Sequence, residues 1–201
     1  MCWNKDVSIA TYLFGLASAL VALKMKLVPW RLVVFFMTFT TIQLMEYGLW
    51  KNLEDPDANR WWSTATLLVI TAIPIMATLA IANPSVRMYA FWSSLVFFTV
   101  ILASSSRGTE DTVVGADRHL NYRFLPDTQL YAIGWFLFFF LGTLASNVMY
   151  LQLFSVLSCA FSYFVVKKGG TFNSFWCYTA VGIWFFALSY GYVKYGIGRK
   201  L

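Results

Sequence analysis

The sequence predicts an all-α polytopic membrane protein, a seven-transmembrane-helix bundle with its N-terminus outside and its C-terminus in the cytoplasm. Three observations predict it: an apolar composition, seven apolar segments, and an uneven distribution of acids between the loops. Of 201 residues, 59% are hydrophobic and 12% are charged, where a soluble domain carries about 25% charged residues. Mean hydropathy is +0.64. Nineteen Phe, eleven Tyr and nine Trp suit a chain that meets both lipid and two water interfaces. The net charge is +6. Its basic residues are scattered between apolar segments, which fits cytoplasmic anchoring and gives no reason to expect a nucleic-acid partner.

A bilayer core of about 30 Å needs about 20 apolar residues in a helix. The expected spans cover residues 7–23, 31–50, 61–82, 89–104, 127–142, 147–166 and 172–193, in a single domain over 1–201. The first ends at Lys24 and Lys26, and no basic region precedes it, so it reads as a membrane helix rather than a cleaved signal. Asn83 and Pro84 stop the third. Residues 127–166 are too long for one helix, and small residues between Gly142 and Asn147 allow a turn. Gly169 and Gly170 precede the seventh span. Backbone facing lipid must bond internally, and alternation with period two is absent, which leaves helices as the spanning element. Pro74 lies inside the third span, where it leaves the carbonyl of Ile70 without its helical partner.

Seven spans put the termini on opposite sides. One side carries Lys24, Lys26, Arg31, Arg87, Lys194, Arg199 and Lys200 with no acid. The other mixes basic residues with every loop acid, including Asp6, Glu54, Asp55, Asp57 and Asp111. Several of its basic residues sit in the long loop 105–126, which weighs less in the positive-inside rule, so the acid-free side is assigned to the cytoplasm. Lys167 and Lys168 argue the other way.

Glu46 is the one charged residue well inside a span, and an intramembrane ionisable group is a functional candidate by default. Gln43 and Trp50 share its helix face. At ~1.5 Å per residue, Glu46 lies about 6 Å below Trp50 and so one turn beneath the outer surface. Snorkelling or a packing bond to a neighbouring helix is the competing explanation. Polar residues in the outer halves of the spans (among them Tyr12, Thr64, Thr66, Tyr131, Ser162, Cys177 and Tyr178) suggest an outward-facing cavity, although such residues also serve helix packing. Cys2 and Cys177 fall near the outer face, either free or bridged. His119 is the lone histidine, on a loop, and reads as solvated. Trp30, Trp50, Trp61 and Trp62 sit at span ends as an aromatic belt.

Several activities fall away. The seventh span has no central lysine for a retinal Schiff base, and one histidine cannot furnish a ceramidase-type zinc site. Nucleotide-binding, zincin and serine-hydrolase motifs are absent. No cofactor, metal site or catalytic residue is expected.

The opening Met1-Cys2-Trp3 and the run from Gln43 through Glu46 and Tyr47 to Trp50 resemble a group of short multi-helix membrane proteins. That group occurs in bacteria, algae and large DNA viruses. Its members begin Met-Cys-Trp or Met-Cys-Phe and carry Gln-x-x-Glu followed by Trp in the second helix. The resemblance covers roughly the first 50 residues. It implies that Cys2, Gln43, Glu46 and Trp50 form one outer cluster, and it implies no activity.

The expectation is a receptor- or transporter-like membrane protein, more a binder than an enzyme. It would bind a small polar, cationic or amphipathic ligand in an outward-facing pocket formed by Gln43, Glu46, Tyr47, Trp50, Cys2 and Tyr178. Expected partners are membrane lipids, the small-molecule ligand, and further copies or members of a membrane complex. A structural subunit of a membrane complex or viral envelope, and a lipid-modifying enzyme, are the alternatives.

Overall fold

The computed structural model describes residues 4–104, 111–115, 120–123, 125–126, 129–165 and 182–196. It shows helices α1 (Lys5–Lys24), α2 (Trp30–Lys51), α3 (Pro56–Ala77, continued by a 3-10 turn Thr78–Ala80) and α4 (Pro84–Ser104). Two short strands follow, β1 (Val113–Val114) and β2 (Leu120–Asn121), then α5 (Gln129–Leu144), α6 (Met149–Val165) and α7 (Ile183–Gly191), which runs on into a π-type turn. Among the described residues, the regular structure is helical apart from the β1–β2 hairpin. Among them, four helices are long and apolar enough to cross a membrane, namely α1, α2, α3 with its 3-10 turn, and α4. Cys2, Cys177, Tyr178, His119 and most of the expected seventh span lie outside the described residues.

Local signals explain where the helices begin. Asp55 caps α3 by accepting from the amides of Asp57 and Ala58, and Pro56 opens the helix where its missing N–H costs nothing. Asn83 does the same for α4 through Ser85 and Val86. Asn83 and Pro84 are thus a start signal as well as a stop, and α4 begins before the expected residue 89. Between α5 and α6 the chain breaks over residues 145–148, with Asn147 at φ 54° in the left-handed region that Asn tolerates.

The helices alternate in direction. Gly15 of α1 lies against Thr40 of α2, so tightly that a Cβ would sit 2.3 Å from the threonine methyl. Seven residues further along each antiparallel helix are Ser8 and Tyr47, which brings the start of α1 level with the end of α2. The turn at 81–83 meets the α5–α6 turn through a bond from the Ala82 amide to the Ala145 carbonyl, 2.9 Å. Gly191 at the end of α7 packs on Leu27 in the α1–α2 turn. One end of the bundle therefore carries the turns 25–29, 81–83 and 145–148 and the end of α7. The other carries the start of α1, the turn 52–55 and the β-hairpin. We call these the basic end and the hairpin end.

In α2 and α3, 61% of the apolar stretch is buried, against 28% in α1 and 22% in α4, so α2 and α3 form the centre. α1 buries only small residues, Ser8, Gly15, Ser18, Ala19 and Ala22, which lets its backbone approach closely as membrane helices do. Between α2 and α7, Phe36 meets Trp184 edge-on, and the Trp184 indole donates to Thr40 Oγ1 at 2.9 Å.

Pro74 stands inside α3, and the carbonyl it orphans is not left bare. The Trp135 indole N–H of α5 donates to the Ile70 carbonyl at 2.9 Å. Thr71, the next residue of α3, and Tyr131, one turn away on α5, have their hydroxyls 3.0 Å apart. Trp135 and Tyr131 are spaced i, i+4, so one face of α5 mends the gap that the proline opens in α3.

Candidate functional site

Glu46 and Gln43 are both 0% exposed, on the face of α2 that looks into the bundle near the hairpin end. Tyr47 and Trp50 flank them, half-buried. Complete burial removes the snorkelling explanation for Glu46, because a carboxylate reaching for headgroups would be exposed.

The carboxylate has a described partner that the sequence reading did not name. Tyr122 donates its phenol hydroxyl to Glu46 Oε1. This partner comes from the 105–126 loop rather than from a helix. β1 and β2 pair antiparallel, Val113 with Asn121 and Val114 with Leu120. Leu120 and Tyr122 are two residues apart, so both point from the hairpin toward the bundle, and both are buried.

A second anchor holds the other strand. The Asn59 side chain in the first turns of α3 imitates a strand edge. Its Nδ2 donates to the Thr112 carbonyl at 2.9 Å, and its Oδ1 accepts from the Thr112 amide at 3.0 Å. Ser63, one turn on, has its hydroxyl 2.8 Å from that of Thr112 and donates to Asn59 Oδ1 at 3.1 Å. All three residues are buried, so these bonds are not diluted by water. Beside them Arg60 and Asp111 form an ion pair at 3.7 Å, exposed on both sides and therefore worth little.

The hairpin thus sits over the end of the bundle, pinned to α3 at Thr112 and to α2 at Tyr122. The open pocket expected above Gln43 and Glu46 is occupied by Tyr122. Cavities among the described residues include one lined by α2, α5, α6 and α7, mostly by apolar residues such as Phe36, Phe139 and Ile183, and two on the exposed faces of α4 and α5. Trp50 Nε1 is buried and has no hydrogen-bond partner among the described residues.

Other expected site residues disperse. Thr64 is exposed and bonds back to the Arg60 carbonyl, and Thr66 bonds back to Trp62 within α3. Tyr131 serves the α3–α5 contact. Cys2 and Tyr178 fall outside the described residues. Among the described residues no group of His, Cys, Asp and Glu could hold a metal ion. Asn59, Ser63, Thr112 and Tyr122 were missed because two-residue strands leave almost no periodic signal. The one available hint was the short alternation Leu120, Asn121, Tyr122.

Comparison of the chain with protein-family models, with curated proteins and with solved structures finds no match.

Proposed function

We propose that the chain is an integral membrane protein of seven transmembrane helices, N-terminus outside, with a receptor- or transporter-like role. It binds a small polar, cationic or amphipathic ligand at an outward-facing site around Gln43 and Glu46 when the β-hairpin withdraws. The observation that carries this reading is a fully buried carboxylate whose described donor, Tyr122, is delivered by a loop rather than by a helix. A buried carboxylate is expensive unless bonded, and a partner on a loop can leave without unpacking the bundle. Once vacated, the carboxylate favours a cation or a hydrogen-bond donor, and the rim aromatics Tyr47 and Trp50 favour a cationic group. The resemblance to the membrane proteins that carry Gln-x-x-Glu and Trp in helix 2 is part of this proposal.

The test is side-specific access. With the native cysteines replaced, Glu46→Cys is exposed to a cationic, membrane-impermeant thiol reagent. Labelling from outside is expected to be slow, and to speed up at least severalfold when Asn59→Ala releases the Thr112 anchor. Labelling unaffected by Asn59→Ala, or proceeding only from the cytoplasmic side, would refute the outward, hairpin-closed site.

A further inference from the structure

Every described carboxylate lies at the hairpin end or, as Glu46, just beneath it. The basic end carries Lys24, Lys26, Arg31, Arg87 and Lys194 and, among the described residues, no acid. Two of these come from helices far apart in sequence. Arg31 is in the first turn of α2, and Arg87 is in the first turn of α4. The 3-10 turn after α3 contacts both helices, and Arg87 Nη1 donates to the Ile81 carbonyl beside that turn at 2.9 Å. The bond fixes the guanidinium and leaves its other N–H groups free to point elsewhere. Arg31 thus stands at the same end, on a helix that touches the same turn. With no carboxylate at this end among the described residues, the two guanidinium groups are open to an anion. Their surroundings say what kind: Trp30 and Val34 on α2, and Val86, Met88 and Tyr89 on α4, are all exposed. The pair therefore lies on an apolar flank with an aromatic rim, not on a water-facing tip.

We propose that Arg31 and Arg87 bind the phosphodiester headgroup of an anionic phospholipid, whose acyl chains run along the exposed apolar residues of α2 and α4. Guanidinium groups suit a phosphodiester because each offers paired N–H donors in a plane. An anionic leaflet attracts a basic juxtamembrane surface, which makes this end the cytoplasmic one. Lys194, over the Tyr190 ring at 5.5 Å, adds charge at the same end.

The proposal rests on the membrane-spanning reading, and one experiment separates the two. The protein is placed in nanodiscs of phosphatidylcholine, with and without phosphatidylglycerol, and its thermal unfolding is followed. Failure to enter nanodiscs would overturn the membrane reading itself. If the chain enters, phosphatidylglycerol is expected to raise the Tm of the wild type and of Lys51→Gln at the hairpin end. The rise is expected to be lost in Arg31→Gln and in Arg31→Gln/Arg87→Gln. Arg31→Gln is the decisive variant, because Arg87 also has a structural bond to Ile81. A rise that survives both substitutions, that vanishes equally in Lys51→Gln, or that inorganic phosphate reproduces in phosphatidylcholine alone would overturn the headgroup site.

Discussion

Tyr122→Phe isolates the contact on which the candidate site turns. The ring is 5% exposed, and Phe keeps it, so packing is preserved while the hydroxyl donated to Glu46 is removed. Removing one partner of a buried hydrogen bond costs about 1–3 kcal/mol. For a chain of 201 residues, 1 kcal/mol moves the Tm by about 2–4 °C, so the expected fall is about 2–12 °C. Glu46→Met is similar in length and unbranched, and it removes the acceptor itself. Replacing both partners by apolar groups of like shape is nearly neutral in many proteins. The double variant is therefore expected to be more stable than the sum of the singles, by about 1–3 kcal/mol of coupling. The assay is thermal unfolding of all four proteins in one detergent, with reversibility checked. Additivity within about 0.5 kcal/mol would refute the idea that Tyr122 and Glu46 act as a pair. Glu46→Gln is a separate case: it retains an acceptor for Tyr122, so it is expected to lower stability less than Glu46→Met while removing the charge that a cationic ligand would need.

Two further outcomes test the frame around the site. Trp135→Phe removes the indole donor to the Ile70 carbonyl and should destabilise by about 1–2 kcal/mol. In a Pro74→Ala background the restored helical N–H can serve that carbonyl, so the loss on Trp135→Phe should shrink, and an equal loss in both backgrounds would sink the account. For topology, a cysteine at Asp55 should react with an impermeant thiol reagent on intact cells while one at the C-terminal Leu201 stays shielded, and the reverse pattern would invert the orientation.

The sequence carries the parts of this fold that depend on composition or on a single residue's geometry. Apolar length marks α1 to α4. Pro74 announces an orphaned carbonyl at Ile70, although nothing in the chain says that Trp135 will answer it. Glu46 stands out because a charge among apolar neighbours is costly wherever the chain goes. What stays hidden is pairing across long separations. Thr40 and Trp184 are 144 residues apart, and Trp184 lies in an aromatic run with no feature to distinguish it from Phe185 or Phe186. Tyr122 is one of eleven tyrosines, in a loop whose strands are too short to show a period. Neither residue is unusual by itself, and each matters only through the partner to which tertiary structure brings it.

The polar contacts inside the bundle show why the hairpin end is the place to look for function. Helices set in lipid have little hydrophobic drive to associate, so close packing and interhelical hydrogen bonds carry the load there. Trp184 to Thr40, Tyr131 with Thr71 and Trp135 to the Ile70 carbonyl meet that need between helices with neutral groups. None of these groups carries a charge at neutral pH, and each bond joins one helix to another. Glu46 differs twice: it is ionisable, and its described donor belongs to a hairpin anchored through Thr112 to α3. If the bundle needed only another interhelical bond at that level, a glutamine or threonine facing a helix would supply it at lower cost. A carboxylate makes sense where its charge is used. A partner on a hairpin with two separable anchors is the arrangement that lets the charge be uncovered while α2 and α3 stay packed.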